Sequence, residues 1–306
     1  MRYLASIVLF FCSLALNAQH FPIYSQYMMN GLAINPAYAG SREVVSLLLS
    51  QRWQWVGFEG APTTTSFNAH MPSKSKTVAF GLQFLDERIG VTNNLSIFGN
   101  YAYRVRLGTG RLSFGFKAGM EVLKENLSKL NLPQKDDPSF NQTATVSYLP
   151  NFGFGTYYYN DKFFAGLSIP TLLSYREESS GNGFKPYNDI KNYNFLLTGG
   201  VIFKINDNIK VKPSTLLRFH SNSPIQYDLN CNLILFKDDL LWVGASYRAK
   251  EAFVGLFEFQ INTQLRLGYS YDFTLGPLTK YSSGSHEIVL RYELRYKINA
   301  INPRYF

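Results

Sequence analysis

Cysteine is nearly absent from this chain. Its 306 residues hold two, Cys12 and Cys231, too few for a disulfide scaffold. Charged residues make up only 17%. Beyond its first residues the chain has no apolar run of the roughly 18 to 20 residues a spanning helix needs. Histidine is scarce too. His20, His70, His220 and His286 lie far apart and show no metal-ligand spacing, so no metal or cofactor is expected. The net charge is +9, but the cations are scattered, which speaks against nucleic acid as a partner. What the chain has in excess is aromatics, 25 Phe, 21 Tyr and 3 Trp, beside 46% hydrophobic residues. That load excludes disorder. With 23 Gly, it also argues against ordinary soluble domains.

The first residues read as an export leader. Met1 and Arg2 form a short basic start, and Tyr3 to Leu16 is an apolar stretch too short to span comfortably. Leu16-Asn17-Ala18 places cleavage after Ala18. Residues before Cys12 lack the small side chains of a lipidation site, so Cys12 belongs to the leader. The mature chain then keeps Cys231 alone and forms no internal disulfide.

Beyond residue 40 the hydrophobic pattern has period two. Leu95, Ile97, Gly99, Tyr101, Tyr103 and Val105 alternate with Ser96, Phe98, Asn100, Ala102 and Arg104. Leu265, Leu267, Tyr269, Tyr271 and Phe273 alternate with Arg266, Gly268, Ser270 and Asp272. Successive strand side chains point to opposite faces, so each segment has an apolar face and a polar face. The segments are about as long as a tilted strand needs to cross a bilayer. Tyrosines gather near their ends, like the aromatic girdles of outer-membrane barrels. Charges facing a wet lumen avoid the cost of burial in apolar surroundings, and closure removes the edges that a bilayer forbids.

Fourteen such segments are expected, near 44–52, 63–70, 77–86, 92–105, 110–122, 149–159, 162–169, 193–204, 208–219, 226–235, 240–247, 252–260, 263–273 and 285–296. The fold class is all-β, a transmembrane antiparallel outer-membrane β-barrel of about fourteen strands. One end has tight turns, among them Gly108-Thr109-Gly110, Asn160-Asp161 and Asn206-Asp207-Asn208, with the residues that hairpins favour. The other end has longer loops, notably 123–148, 171–192 and 274–284. Short turns face the periplasm in such barrels, so both termini are expected there. The domain plan is a signal peptide over 1–18, a short periplasmic N-terminal arm or plug over 19–43, the barrel over 44–296 and an extension over 297–306.

Catalytic candidates are few. His220, Ser221, Ser223, Ser285 and His286 invite comparison with a barrel hydrolase, but nothing identifies an acid partner. Asp136 and Asp137 read as a solvated acidic pair. The inward charges Lys117, Glu121, Lys210, Lys212, Arg218, Asp228, Arg266, Asp272, Arg291, Glu293 and Arg295 form either a substrate path or a network filling the lumen. The arm carries Tyr24, Gln26, Tyr27, Asn30, Asn35, Pro36, Tyr38 and Gly40 without helical or strand period, so specific contacts must hold it. Trp53, Trp55 and Phe58 follow in a Gly- and Pro-rich stretch, which reads as a folded loop. Both groups are candidates for plugging or capping the barrel, for binding a partner, or for both.

The run Tyr24-Ser25-Gln26-Tyr27-Met28 through Asn35-Pro36-Ala37-Tyr38-Ala39-Gly40-Ser41 resembles the start of the PorP/SprF family of type IX secretion system outer-membrane proteins of Bacteroidota. The resemblance continues through Trp55-Val56-Gly57-Phe58-Glu59-Gly60-Ala61-Pro62, Asp86-Glu87-Arg88-Ile89-Gly90-Val91-Thr92, Pro150-Asn151-Phe152-Gly153 and Leu241-Trp242-Val243-Gly244-Ala245-Ser246-Tyr247-Arg248. Leu267-Gly268-Tyr269-Ser270-Tyr271-Asp272 and Gly284-Ser285-His286-Glu287-Ile288 with Leu290-Arg291-Tyr292 complete it. The tail to Phe306 runs past the usual family end. The resemblance implies a non-enzymatic role with no catalytic residues to carry over. It implies support for export or surface attachment of a large client with a C-terminal signal domain, such as a gliding adhesin. Periplasmic ring and lipoprotein subunits are the implied partners, beside outer-membrane lipid. The alternatives are a passive porin or hydrophobic-solute channel and, further off, an outer-membrane enzyme.

Overall fold

The computed structural model describes residues 24–126, 145–177, 184–221 and 223–294. The expected signal peptide, His20, Asp136, Asp137, Asn222, Arg295 and the expected 297–306 extension lie outside the described residues.

Among the described residues seventeen strands carry the fold: β1 (Val45–Trp53), β2 (Thr63–Pro72), β3 (Val78–Ile89), β4 (Thr92–Leu107), β5 (Gly110–Glu125), β6 (Thr145–Tyr159), β7 (Phe163–Ile169), β8 (Ser174–Glu177), β9 (Phe184–Tyr187), β10 (Phe195–Val201), β11 (Phe203–Asn206), β12 (Ile209–His220), β13 (Ser223–Leu235), β14 (Leu241–Arg248), β15 (Ala252–Gln260), β16 (Leu265–Thr274) and β17 (Ser285–Leu294). Consecutive strands pair antiparallel. β1 closes on β17 from Val45↔Leu294 to Trp53↔His286. β10 joins β7 on one side and β12 on the other. β11 continues β10 after a break at Ile202 and also pairs with β12. The ring is therefore a closed antiparallel barrel of 14 strands. The small β8–β9 hairpin stands apart from it.

Period two decides which side each residue faces. On β1, Ser46, Leu48, Ser50 and Arg52 are buried, while Leu47, Leu49 and Trp53 look out. On β15, Ala252, Val254, Leu256 and Glu258 are buried against exposed Phe253, Gly255, Phe257 and Phe259. The outer face is thus apolar and aromatic, as lipid requires, and the inner face is mixed. No helix among the described residues is long and apolar enough to cross a membrane. The crossing belongs to the strands.

Both Val45 and Leu294 sit at the end with the expected short turns. The far end is more varied than the sequence implied. Three of its connections are as tight as any: Gly90-Val91 between β3 and β4, the two residues between His220 of β12 and Ser223 of β13, and the turn at 249–251 between β14 and β15. Gly90 adopts φ +56°, which a side-chain-free residue takes without strain. Strands β3, β5 and β6 also run longer at this end than the alternation marked, because backbone pairing continues the ladder to Ile89, Glu125 and Thr145.

Candidate functional site

Residues 24–43 run inside the ring. They contain one helical turn, α1 (Gly31–Ile34), and a 3-10 turn, Pro36–Tyr38. Asn35 shapes the second: its Oδ1 accepts from the Ala37 amide at 2.9 Å, and Pro36 suits the first position of a helical turn. Ser25, Gln26, Tyr27, Asn30, Asn35, Ala37 and Tyr38 are all buried. A segment with so little regular structure leaves backbone groups for the barrel wall to satisfy.

At the long-loop end Ser25 is the centre of a buried charge cluster. Its amide donates to Glu287 Oε2 at 2.7 Å, and its hydroxyl donates to Asp272 at 2.8 Å. That hydroxyl accepts from Arg52 Nη1 at 2.9 Å and from Arg248 Nη2 at 3.0 Å. Arg52 pairs with Asp272 at 2.8 Å and Glu287 at 3.4 Å. Arg248 pairs with Asp272 at 3.1 Å and Asp228 at 3.4 Å, and Arg218 adds 3.0 Å to Asp228. Buried ions persist only when paired and hydrogen-bonded, and here the arm supplies part of that pairing. Gln26 adds a bond from Nε2 to the Glu287 carbonyl at 3.2 Å.

Midway, Asn230 donates to the Tyr27 hydroxyl, and Arg291 donates to the Met29 carbonyl. Asn68 donates to Asn30 Oδ1 at 2.8 Å. Ser168 Oγ donates to the Ile34 carbonyl at 2.5 Å, and Asn35 Nδ2 donates to the Thr156 carbonyl at 2.9 Å. Tyr38 meets His70 and Tyr157 edge-on, with centroids 5.6 and 5.5 Å apart.

At the short-turn end the Gly40 amide donates to His70 Nδ1 at 3.1 Å, and Arg104 Nη1 donates to the Gly40 carbonyl at 2.5 Å. Arg42 pairs with Glu293, while Glu43 takes Lys76 at 2.8 Å and Arg111 at 3.0 Å.

The wall is cut to this segment. A Cβ on Gly115 would lie 2.0 Å from the Ala37 nitrogen. One on Gly155 would lie 2.1 Å from Asn35 Oδ1, and one on Gly268 would lie 2.3 Å from Gln26 Oε1. All three glycines occupy inward positions.

The remaining inward charges sit elsewhere on the wall. Lys117 lies over the Phe98 ring at 4.1 Å, on the same face of β5 as Glu121. Lys212 stands over Trp242 at 5.2 Å and Phe164 at 5.3 Å, and Arg266 stands over Trp242 at 5.0 Å. Arg266 also pairs with Glu258 at 3.4 Å, and Lys210 pairs with Asp239 at 2.8 Å.

Trp53, Trp55 and Phe58 do not join the arm. Trp53 is the outward neighbour of inward Arg52. Trp55, at φ +49°, donates its amide to Ser285 Oγ at 3.0 Å. The 54–62 loop is knit to the β16–β17 connection by Val56 N to Gly284 O at 2.8 Å and Ser283 N to Val56 O at 2.7 Å. Phe58 is exposed on that ledge. Ser285 and His286 fall on opposite faces of β17, with His286 bonded to the Tyr269 hydroxyl at 2.7 Å. Among the described residues no group of three or more His, Cys, Asp or Glu is placed to hold a metal.

Sequence reasoning missed Ser25, Arg52, Arg104, Arg248, Glu258, Glu287 and the inward glycines. Strand parity places each of them inward except Ser25, which lies in the arm. Which of them meet is set only by the curvature of the closed ring.

Architecture and wall together define an outer-membrane β-barrel whose lumen contains part of its own chain. The chain belongs to the type IX secretion system membrane protein PorP/SprF family, whose match covers residues 16–292. No curated protein matches it. Among solved structures it is similar to the CymD monoaromatic hydrocarbon channel, with 12% identity, 90% of this chain and 94% of that chain covered, and a TM-score of 0.51. It is also similar to a Pseudomonas aeruginosa FadL homologue, with 11% identity, 90% and 95% covered, and a TM-score of 0.49. The Acinetobacter baumannii outer membrane protein Omp33 matches at 8% identity, 83% and 100% covered, and a TM-score of 0.46. At such identities the likeness concerns the fold alone.

Proposed function

We propose that this barrel serves the type IX secretion system through protein–protein contacts rather than as a conduit. In this reading it supports the export or surface attachment of a large client, such as a gliding adhesin with a C-terminal signal domain, and it binds ring and lipoprotein subunits on the periplasmic side. The short turns and the C-terminal end of β17 face the periplasm, and the long loops face outside. Residues 24–43 act as a resident plug, and the apolar outer face seats the barrel in outer-membrane lipid. The observation that supports the reading is the course of the arm: a passive channel needs an open path, and here the arm is bonded to wall residues from one mouth to the other. The Trp55–Phe58 ledge is the partner surface at the outer mouth.

A mild-detergent pull-down from the native envelope tests this. Ring lipoproteins or a large exported protein are expected in the eluate. Replacing Phe58 with Ser is expected to lose the client while the barrel stays folded. A barrel that elutes alone and conducts steadily in planar bilayers would favour the porin or solute-channel reading.

A further inference from the structure

The outward face of the wall is nearly uncharged. On the fourteen barrel strands, register assigns three charged residues to it: Asp86 and Arg88 of β3 and Lys124 of β5. All three lie at the long-loop end, in one sector of the ring. Arg88 pairs with Asn93 of β4, and Asn93 pairs with Lys124. Thr63 and Val146 continue the row on either side. Two strand spacings, roughly 10 Å, separate the Arg88 and Lys124 backbones. Two long cationic side chains can therefore meet over the short Asn93 between them.

The strand beneath sets the height of this row. Below Lys124 the outward residues of β5 run without charge from Val122 back to Leu112. That stretch is roughly 34 Å long at about 3.4 Å per residue. Tilted by about 40°, it rises roughly 26 Å, against an apolar band of about 25 Å in outer-membrane barrels. The apolar run ends likewise at Phe84 on β3 and at Leu95 on β4. Arg88 and Lys124 thus stand at headgroup level, directly above the acyl region. Asp86 accepts from Arg88 Nη2 at 2.8 Å and holds the guanidinium along the wall. The Arg88 side chain is still 65% exposed. Among the described residues, neither its other N–H groups nor the Lys124 ammonium has a partner.

We propose that Arg88 and Lys124 form a headgroup site that takes a phosphate of an outer-leaflet glycolipid over Asn93. A guanidinium fork matches two phosphate oxygens, and an ammonium adds a second positive charge. Continuity favours a lipid over a protein partner. Leu95, Val122 and Tyr148 form the outward row just below, so one molecule lays its chains on the apolar band and its phosphate on the cations. Assignment to the outer leaflet rests on the proposed orientation, with long loops outside the cell. It does not rest on the secretion reading.

Native mass spectrometry of the purified full-length barrel in mild detergent tests this. The probes are bisphosphorylated lipid A, the same lipid with its phosphates removed, and phosphatidylglycerol. Lipid A is expected to bind in defined stoichiometry, and the double variant Arg88→Gln with Lys124→Gln is expected to weaken it roughly tenfold or more. Heat-modifiable migration checks that the variant is folded. Lys280→Gln, in the β16–β17 connection at the same end, is expected to leave binding unchanged. The proposal is overturned if the double variant keeps lipid A at full strength, if phosphate removal makes no difference, or if Lys280→Gln weakens binding equally. Phosphatidylglycerol held as tightly by the same two residues would overturn the choice of a glycolipid. An epitope inserted between Glu177 and Phe184, probed with antibody on intact cells, reads the orientation separately. If the epitope is reached only after permeabilisation, the outer-leaflet assignment falls. None of these readouts involves a secretion partner, so they leave the outcome of the pull-down untouched.

Discussion

Ser25 and Gly115 show how single residues seat the arm. Ser25→Ala removes a hydroxyl that bonds two guanidinium groups and a carboxylate. About 1–3 kcal/mol of stability is expected to go with it. Arg52→Met leaves Asp272 and Glu287 short of a counter-charge in a buried place, and a larger loss of about 3–5 kcal/mol follows. Urea unfolding in lipid vesicles measures both. Gly115→Ala drives a methyl into the Ala37 backbone, so an overpacking loss of about 1–3 kcal/mol is expected. Gly255→Ala is the control: it faces outward with nothing within 4 Å, and its unfolding midpoint should not move. None of these partners was legible in the chain. Arg52 was readable as inward by its spacing from Ser46, Leu48 and Ser50, but Asp272, 220 residues away, becomes its neighbour only when the ring closes.

Most barrel strands carry their own two-faced pattern, which is why those elements were legible. Leu265 to Phe273 alternates without a break, and β16 occupies Leu265–Thr274. Where lipid and lumen give way to water, the pattern loses its force. The β8–β9 hairpin and the far ends of β3, β5 and β6 carry no alternation that marks them, and backbone pairing alone extends them. A charge on the outer face tests the assignment of sides. Leu290 lies mid-strand on β17, opposite Leu49 and Leu267. Leu290→Arg is expected to cost about 2–4 kcal/mol when folding into bilayers is measured. The neighbouring inward Val289 is fully buried, so Val289→Ala probes packing against Met29 and Leu48 instead. About 1 kcal/mol or somewhat more is expected there.

Across the whole molecule, the proposed plug role of the arm predicts a barrel without an open lumen. Fourteen strands enclose more space than their own side chains fill, and residues 24–43 take up that space. Planar-bilayer recording should find the full chain nearly silent. A variant lacking residues 24–40 should give discrete conductance steps, provided heat-modifiable migration shows that it still folds. Equal conductance in the two would remove the plug from the functional account. The same arm couples distant strands, since it bonds to β1, β2, β4, β6, β7, β13, β14, β16 and β17. Loss of the Ser25 cluster is therefore expected to loosen the mouth before the wall.

Strand number, the two faces of each strand and membership of the PorP/SprF family follow from the sequence alone. They rest on local alternation and on short motifs, and neither depends on what lies across the ring. The path of residues 24–43, their polarity through the lumen and the fit between inward glycines and the arm were settled by the tertiary structure. A segment without period carries no record of its neighbours. Its partners come from strands near both ends of the chain and between, and only barrel closure brings them within hydrogen-bonding distance of one another.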